Sequence, residues 1–163
     1  VDVGPAMRLG GRLAPWLTEL ENDSTTLDDL FGRILEFSAS NLELSVWLEG
    51  GFAEKSPEIH FSNPTSLALH PSQNVLIVHE NIQRPTDGRS FPGGMVNELY
   101  SIDATLIDPN KDQLQRLAIF PKGAEPTGGI FNPDGTAFFF SIQHPHPQNP
   151  APWNKAAVYV LPW

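Results

Sequence analysis

The sequence predicts an all-β fold made of β-propeller blades, on three observations. Short apolar runs of strand length recur after Gly32, each bounded by turn residues. Sixteen prolines and 13 glycines punctuate the 163 residues. One strand–turn–strand phrase also occurs twice. Ser66-Leu67-Ala68-Leu69-His70-Pro71 followed by Val75-Leu76-Ile77-Val78 parallels Gly129-Ile130-Phe131-Asn132-Pro133 followed by Ala137-Phe138-Phe139-Phe140.

Residues 1–31 read as an N-terminal arm with short helical turns, because Trp16, Leu17 and Leu20, then Leu27, Leu30 and Phe31, cluster without a sustained period. Residues 32–163 hold the blades. Arg33 to Phe37 alternates, and Leu42 to Leu48, with Leu42, Leu44, Val46 and Leu48 on one face, is its antiparallel partner. Ser66 to Leu69 turns through His70 to Asn74 into the nearly continuous apolar strand Val75 to His79. A loop from Asn81 to Val96 follows. Glu98 to Thr105 pairs with Gln113 to Phe120 across Asp108-Pro109-Asn110-Lys111. Gly128 to Phe131 passes through Asn132-Pro133-Asp134-Gly135, where Pro presets the turn and Asp-Gly completes it, into Ala137 to Ile142. Phe138, Phe139 and Phe140 read as blade core. A proline-rich loop leads to the last strand, Ala156 to Leu161.

This grouping gives two strands, then four, then three, or about two and a half to three blades. At roughly 40–45 residues per blade, the chain is short for a ring of about four to eight. Another chain or a missing segment is needed to close it.

Ten basic against 19 acidic residues give a net charge of −9. That excludes the basic face of a nucleic-acid binder and attraction to an anionic membrane. It suits a protein that binds cations, or anions through a metal. Without cysteine, disulfides, zinc ribbons and thiol catalysis are excluded. No apolar run reaches the roughly 20 residues of a membrane helix. The chain begins at Val1 with no signal peptide behind it, which reads as a processed chain or a piece of a longer one. His79 and His144 are candidate imidazole ligands or phosphate contacts, with a hydrogen-bonded turn residue as the plainer role for His144. Arg84 and Arg89 in the long loop are placed to clamp an anion. Asp103, Asp108 and Asp112 fit no calcium-loop spacing and read as loop solubilisers.

Three motifs taken together carry a resemblance: Glu125-Pro126-Thr127-Gly128, Phe131-Asn132-Pro133-Asp134-Gly135-Thr136, and Phe140-Ser141-Ile142-Gln143-His144-Pro145. Their order resembles the end of PhoX-type alkaline phosphatases, which carry Glu-Cys-Thr-Gly, Phe-Ser-Pro-Asp-Gly and Gln-His-Pro. The strand pair from Asn63 to Glu80 and the segment from Asn97 to Ile102 resemble the same family, so the likeness spans Gly32 to His146. It implies a six-bladed propeller, periplasmic or secreted. It further implies a hydrolase with calcium and iron in the axial channel, acting on a phosphorylated small molecule. On the matching positions, Glu125 and Glu80 are the implied metal ligands, while the substrate-contact readings of His144, Arg84 and Arg89 rest on their residue types and place in the chain. Thr65-Ser66 stands where the family has Asp-Asn, which favours the alternative of a non-catalytic propeller scaffold that has lost part of the metal site.

Overall fold

The computed structural model describes residues 31–55, 60–82, 90–91 and 94–163. The arm read over 1–31 therefore lies outside the description except for Phe31, as do Arg84 and Arg89. The described chain is all-β, its strands arranged in antiparallel sheets.

Strands β1 (Arg33–Ser38) and β2 (Glu43–Glu49) form the first sheet, and β3 (Gly51–Phe52) pairs with β4 (His60–Phe61). Next come β5 (Pro64–Leu69) and β6 (Val75–Glu80), then the two-residue pair β7 (Ser90–Phe91) and β8 (Gly94–Met95) inside the long loop. With β9 (Glu98–Asp103) and β10 (Gln115–Ile119), β5 and β6 build a four-stranded middle sheet in the order β10-β9-β6-β5. The third sheet runs β11 (Glu125–Phe131), β12 (Ala137–Gln143), β13 (Ala157–Pro162). These sheets of two, four and three strands repeat the grouping read from the sequence.

Local chemistry sets several boundaries. Expected to run to Thr105, β9 ends at Asp103, whose Oδ1 accepts from the Thr105 backbone N–H and hydroxyl and so bends the chain away from the ladder. The connection to β10 holds a short 3-10 turn, Lys111–Gln113, closed by a reciprocal capping box between Asn110 and Gln113.

Two apolar layers hold the sheets together. Ile34, Leu48, Phe61, Val78, Tyr100 and Ile102 fill the layer between the first and middle sheets. Ala68, Ile77, Leu99, Phe131, Phe138, Phe140 and Ile142 fill the layer between the middle and third sheets. Consecutive residues of β6 and β9 thus enter different layers, which is why Val75 to Val78 reads as an unbroken apolar run.

Two sequence readings are corrected. Leu48 is buried while Leu42, Leu44 and Val46 are exposed, because Ile34 and Leu35 pair with Leu48 and Val46 and leave Trp47 as an extra residue. That bulge reverses the facing of the strand beyond it. Phe139 is not core: it is 37% exposed on the outer face of the third sheet, whereas Phe138 and Phe140 alternate inward.

Close approach at two glycines locks the middle and third sheets. A Cβ on Gly129 would meet Phe138 at 2.2 Å and His79 at 2.7 Å. Gly135, at φ +74, closes the Asn132–Thr136 turn directly against the His70 ring. His70 Nδ1 accepts the N–H groups of Ser72 and Gln73, so Nε2 carries the proton and donates to the Gly135 carbonyl at 3.0 Å.

Candidate functional site

Antiparallel pairing gathers the polar strand ends of the middle sheet at one end: the start of β5, the end of β6 and the start of β9. Asn97 joins this end to the third sheet. Its Oδ1 accepts from the Ile82 N–H at 2.5 Å, and its Nδ2 donates to the Ala124 carbonyl at 2.9 Å, next to Glu125. The opposite end carries the turns that His70 holds.

Glu80 is fully buried and spends both carboxylate oxygens on backbone. Oε1 accepts from the Ser62 N–H at 2.7 Å and Oε2 from the Glu98 N–H at 2.9 Å. Glu80 braces the segment entering β5 against β9, a strong use of a buried charge because each bond is charge-assisted.

Glu98 is equally buried, and sequence reading missed it. Its Oε2 accepts from the Tyr100 hydroxyl and from Arg116 Nε at 2.8 Å. A signal existed: in an alternating strand Glu98 shares a face with Tyr100 and Ile102, so an acid sits on an apolar face and needs a cation from the next strand.

Glu125 is placed differently. Partly exposed at the start of β11, it stands beside His144 at the end of β12. Desolvation raises its pKa above the ordinary carboxylate range, and the nearby His144 charge offsets part of that shift. His144 is exposed and adopts φ +49, a left-handed kink that turns the chain out of β12. The structure therefore brings Glu125 and His144 together. Glu80 belongs to a separate buried cluster, joined to them through Glu98, Asn97 and Ala124.

At the positions where a carboxylate and an amide are expected, Thr65 Oγ1 donates to the His79 carbonyl at 3.5 Å and Ser66 Oγ is buried. His79 lies between the sheets rather than at the polar end. Its Nδ1 donates to the Ser66 carbonyl at 3.1 Å, leaving Nε2 as a buried acceptor without a partner among the described residues, and Phe138 and Phe140 pack against the ring. Burial lowers its pKa to about 4, so it is a neutral core imidazole.

Among the described residues no three His, Cys, Asp or Glu side chains converge to hold a metal ion. A calcium ion takes about six to eight oxygens. Glu125 offers an accessible carboxylate, but the described residues do not complete a calcium or iron site. No helix of the described residues is long and apolar enough to cross a membrane.

Comparison with known proteins gives one structural likeness and one family. Hydrazine synthase of Kuenenia stuttgartiensis superposes with a TM-score of 0.46 at 12% identity, over 83% of this chain and 37% of that one. The chain thus spans little more than a third of that protein's length. No curated protein matches the chain. The family described as alkaline phosphatase PhoX matches residues 19–146, most of the sequence and all of the polar end. The chain belongs to the PhoX alkaline phosphatase family.

Proposed function

We propose that this chain forms one side of a PhoX-type phosphomonoesterase, its three stacked sheets being neighbouring blades of a larger propeller. Another chain or a segment outside these residues closes the ring. Glu125 is the observation that carries the reading: an accessible carboxylate at the polar strand ends, beside an exposed imidazole, in the motif that matches the family. In this role Glu125 gives carboxylate oxygen to a metal site whose other ligands lie beyond the described residues. Calcium and iron, when bound, supply the positive charge that a chain of net charge −9 lacks for attracting a phosphate monoester. His144 contacts the phosphate oxygens, and Arg84 and Arg89 of the long loop clamp them. Glu80 acts as the brace that fixes the strand ends beneath the site. A periplasmic or secreted location fits a calcium-dependent enzyme of this kind.

A second reading, a propeller scaffold without catalysis, is favoured by Glu80 being committed to backbone donors and by hydroxyls at Thr65 and Ser66. Hydrolysis of p-nitrophenyl phosphate with calcium and iron present separates the two. The enzymatic reading expects turnover that Glu125→Gln lowers on the order of 100-fold with the fold unchanged. Absence of turnover, together with no thermal shift in calcium, supports the scaffold.

A further inference from the structure

Asn97 stands between the long loop and β9, and its bonds reach well beyond both. The residue is buried, and so are the two that its side chain meets, Ile82 and Ala124. Because Oδ1 accepts the Ile82 N–H, the amide can point only one way, with Nδ2 toward the Ala124 carbonyl. That carbonyl lies just before the β11 ladder begins at Glu125. The backbone of Asn97 grips the same turn at its other end, where the Phe120 N–H donates to the Asn97 carbonyl at 3.0 Å. The turn closes on itself through the Ala124 N–H and the Pro121 carbonyl, also at 3.0 Å.

The segment held in this way, 120–124, carries both accessible groups of the site. Glu125 is its next residue. On the other side, the Lys122 carbonyl accepts the His146 N–H and the Asn149 Nδ2, each at 3.0 Å. Those bonds anchor the chain two residues beyond His144. We infer that Asn97 is a positioning residue for Glu125 and His144: through the turn 120–124 its side chain sets where the carboxylate and the imidazole stand against the middle sheet. The inference rests on the proposed reading of that pair as site residues. Asparagine suits the task because one short planar group carries an acceptor and a donor. Aspartate keeps the acceptor for Ile82 but sets a second oxygen against the Ala124 carbonyl, which then loses its donor where water does not replace it.

Amide hydrogen exchange on the 163-residue chain tests the geometry, with Asn97→Asp as the variant and the core truncation Leu48→Ala as the control. In Asn97→Asp, protection is expected to fall about tenfold at the Ala124 and His146 amides. The His70 and Asn132 amides, bonded in the turns at the opposite end, keep theirs. Leu48→Ala, which weakens the first apolar layer, speeds exchange at both ends. Hydrolysis of p-nitrophenyl phosphate with calcium and iron present gives the second reading. Per folded molecule, Asn97→Asp is expected to lower kcat about tenfold with KM changed less than about twofold, while Leu48→Ala leaves both unchanged. Three results overturn the inference. One is protection in Asn97→Asp that is unchanged, or lost evenly at both ends. Another is a kcat for Asn97→Asp equal to that of an active unaltered chain. The third is rapid exchange of the Asn97 side-chain amide in the unaltered chain, a measurement that needs no variant to fold. An unaltered chain without turnover sinks the phosphatase reading instead, and the exchange pattern alone then upholds or overturns the role of Asn97.

Discussion

Burial opposes protonation of His79 more strongly than its bond to the Ser66 carbonyl favours it. The ring is fully buried, lies over Gly129, faces Phe138 and Phe140, and bonds to the Ser66 backbone carbonyl. Burial lowers its pKa from 6.5 to about 4 in the folded chain, while the unfolded chain titrates near the ordinary value. Between those values the unfolded state binds more protons, so stability is full above about pH 6.5 and falls as pH drops toward 4. The loss is on the order of 3 kcal/mol across that window. Denaturant unfolding at pH 7 and pH 4.5 reads it, and His79→Leu is expected to remove most of the difference. An unchanged slope in that variant would place the acid sensitivity elsewhere. At this scale the sequence showed residue types better than roles. The Glu125 motif was legible because its glutamate, glycine and neighbouring turn are contiguous. Glu80 and Glu98 were not, since the Glu80 carboxylate is fixed by the backbone N–H groups of Ser62 and Glu98 and the Glu98 carboxylate by the Arg116 side chain, each 18 positions away.

Strand parity decides how much each aromatic of β12 matters. Phe140 faces the layer shared with the middle sheet, packing with Phe120, Phe138 and Tyr159, whereas Phe139 faces outward with Ile130 and Val160 as cross-strand partners. Phe140→Ala is therefore expected to destabilise by about 3 kcal/mol or more, and Phe139→Ala by only about 1 kcal/mol. Equal midpoint shifts in a denaturant titration would contradict the assigned faces. The three phenylalanines in a row gave no phase of their own, because every position was apolar and alternation had nothing to read. The first hairpin failed to disclose its facing for another reason. Its apolar residues do alternate from Leu42, but the extra residue at Trp47 reverses the phase before Leu48, and a bulge leaves no residue type as a marker here. The long strands and their turns were legible, since Pro, Gly and Asn-Pro-Asp-Gly mark where ladders stop, whereas the two-residue pairs β3–β4 and β7–β8 were not read.

At the scale of the whole molecule the two apolar layers are not independent. Strands β6 and β9 contribute Val78 and Tyr100 to one layer and Ile77 and Leu99 to the other, so loosening either strand opens both. Phe61→Ala in the first layer and Phe138→Ala in the second are each expected to cost about 3 kcal/mol or more while preserving one cooperative transition. Separate transitions by calorimetry would show that the sheets unfold apart. The outer faces of the stack remain apolar as well, with Phe37 and Leu44 exposed at one end and Val158 and Val160 at the other. The sequence alone determined the all-β class, the two-four-three grouping of strands and the family motifs, because these rest on local periodicity and on residues adjacent in the chain. Only the tertiary structure decided that Glu80 and Glu98 are buried braces, that His79 is a neutral core residue, and that Phe139 faces outward. Each of those depends on which distant backbone groups and side chains meet, and antiparallel stacking sets that between residues far apart in the chain.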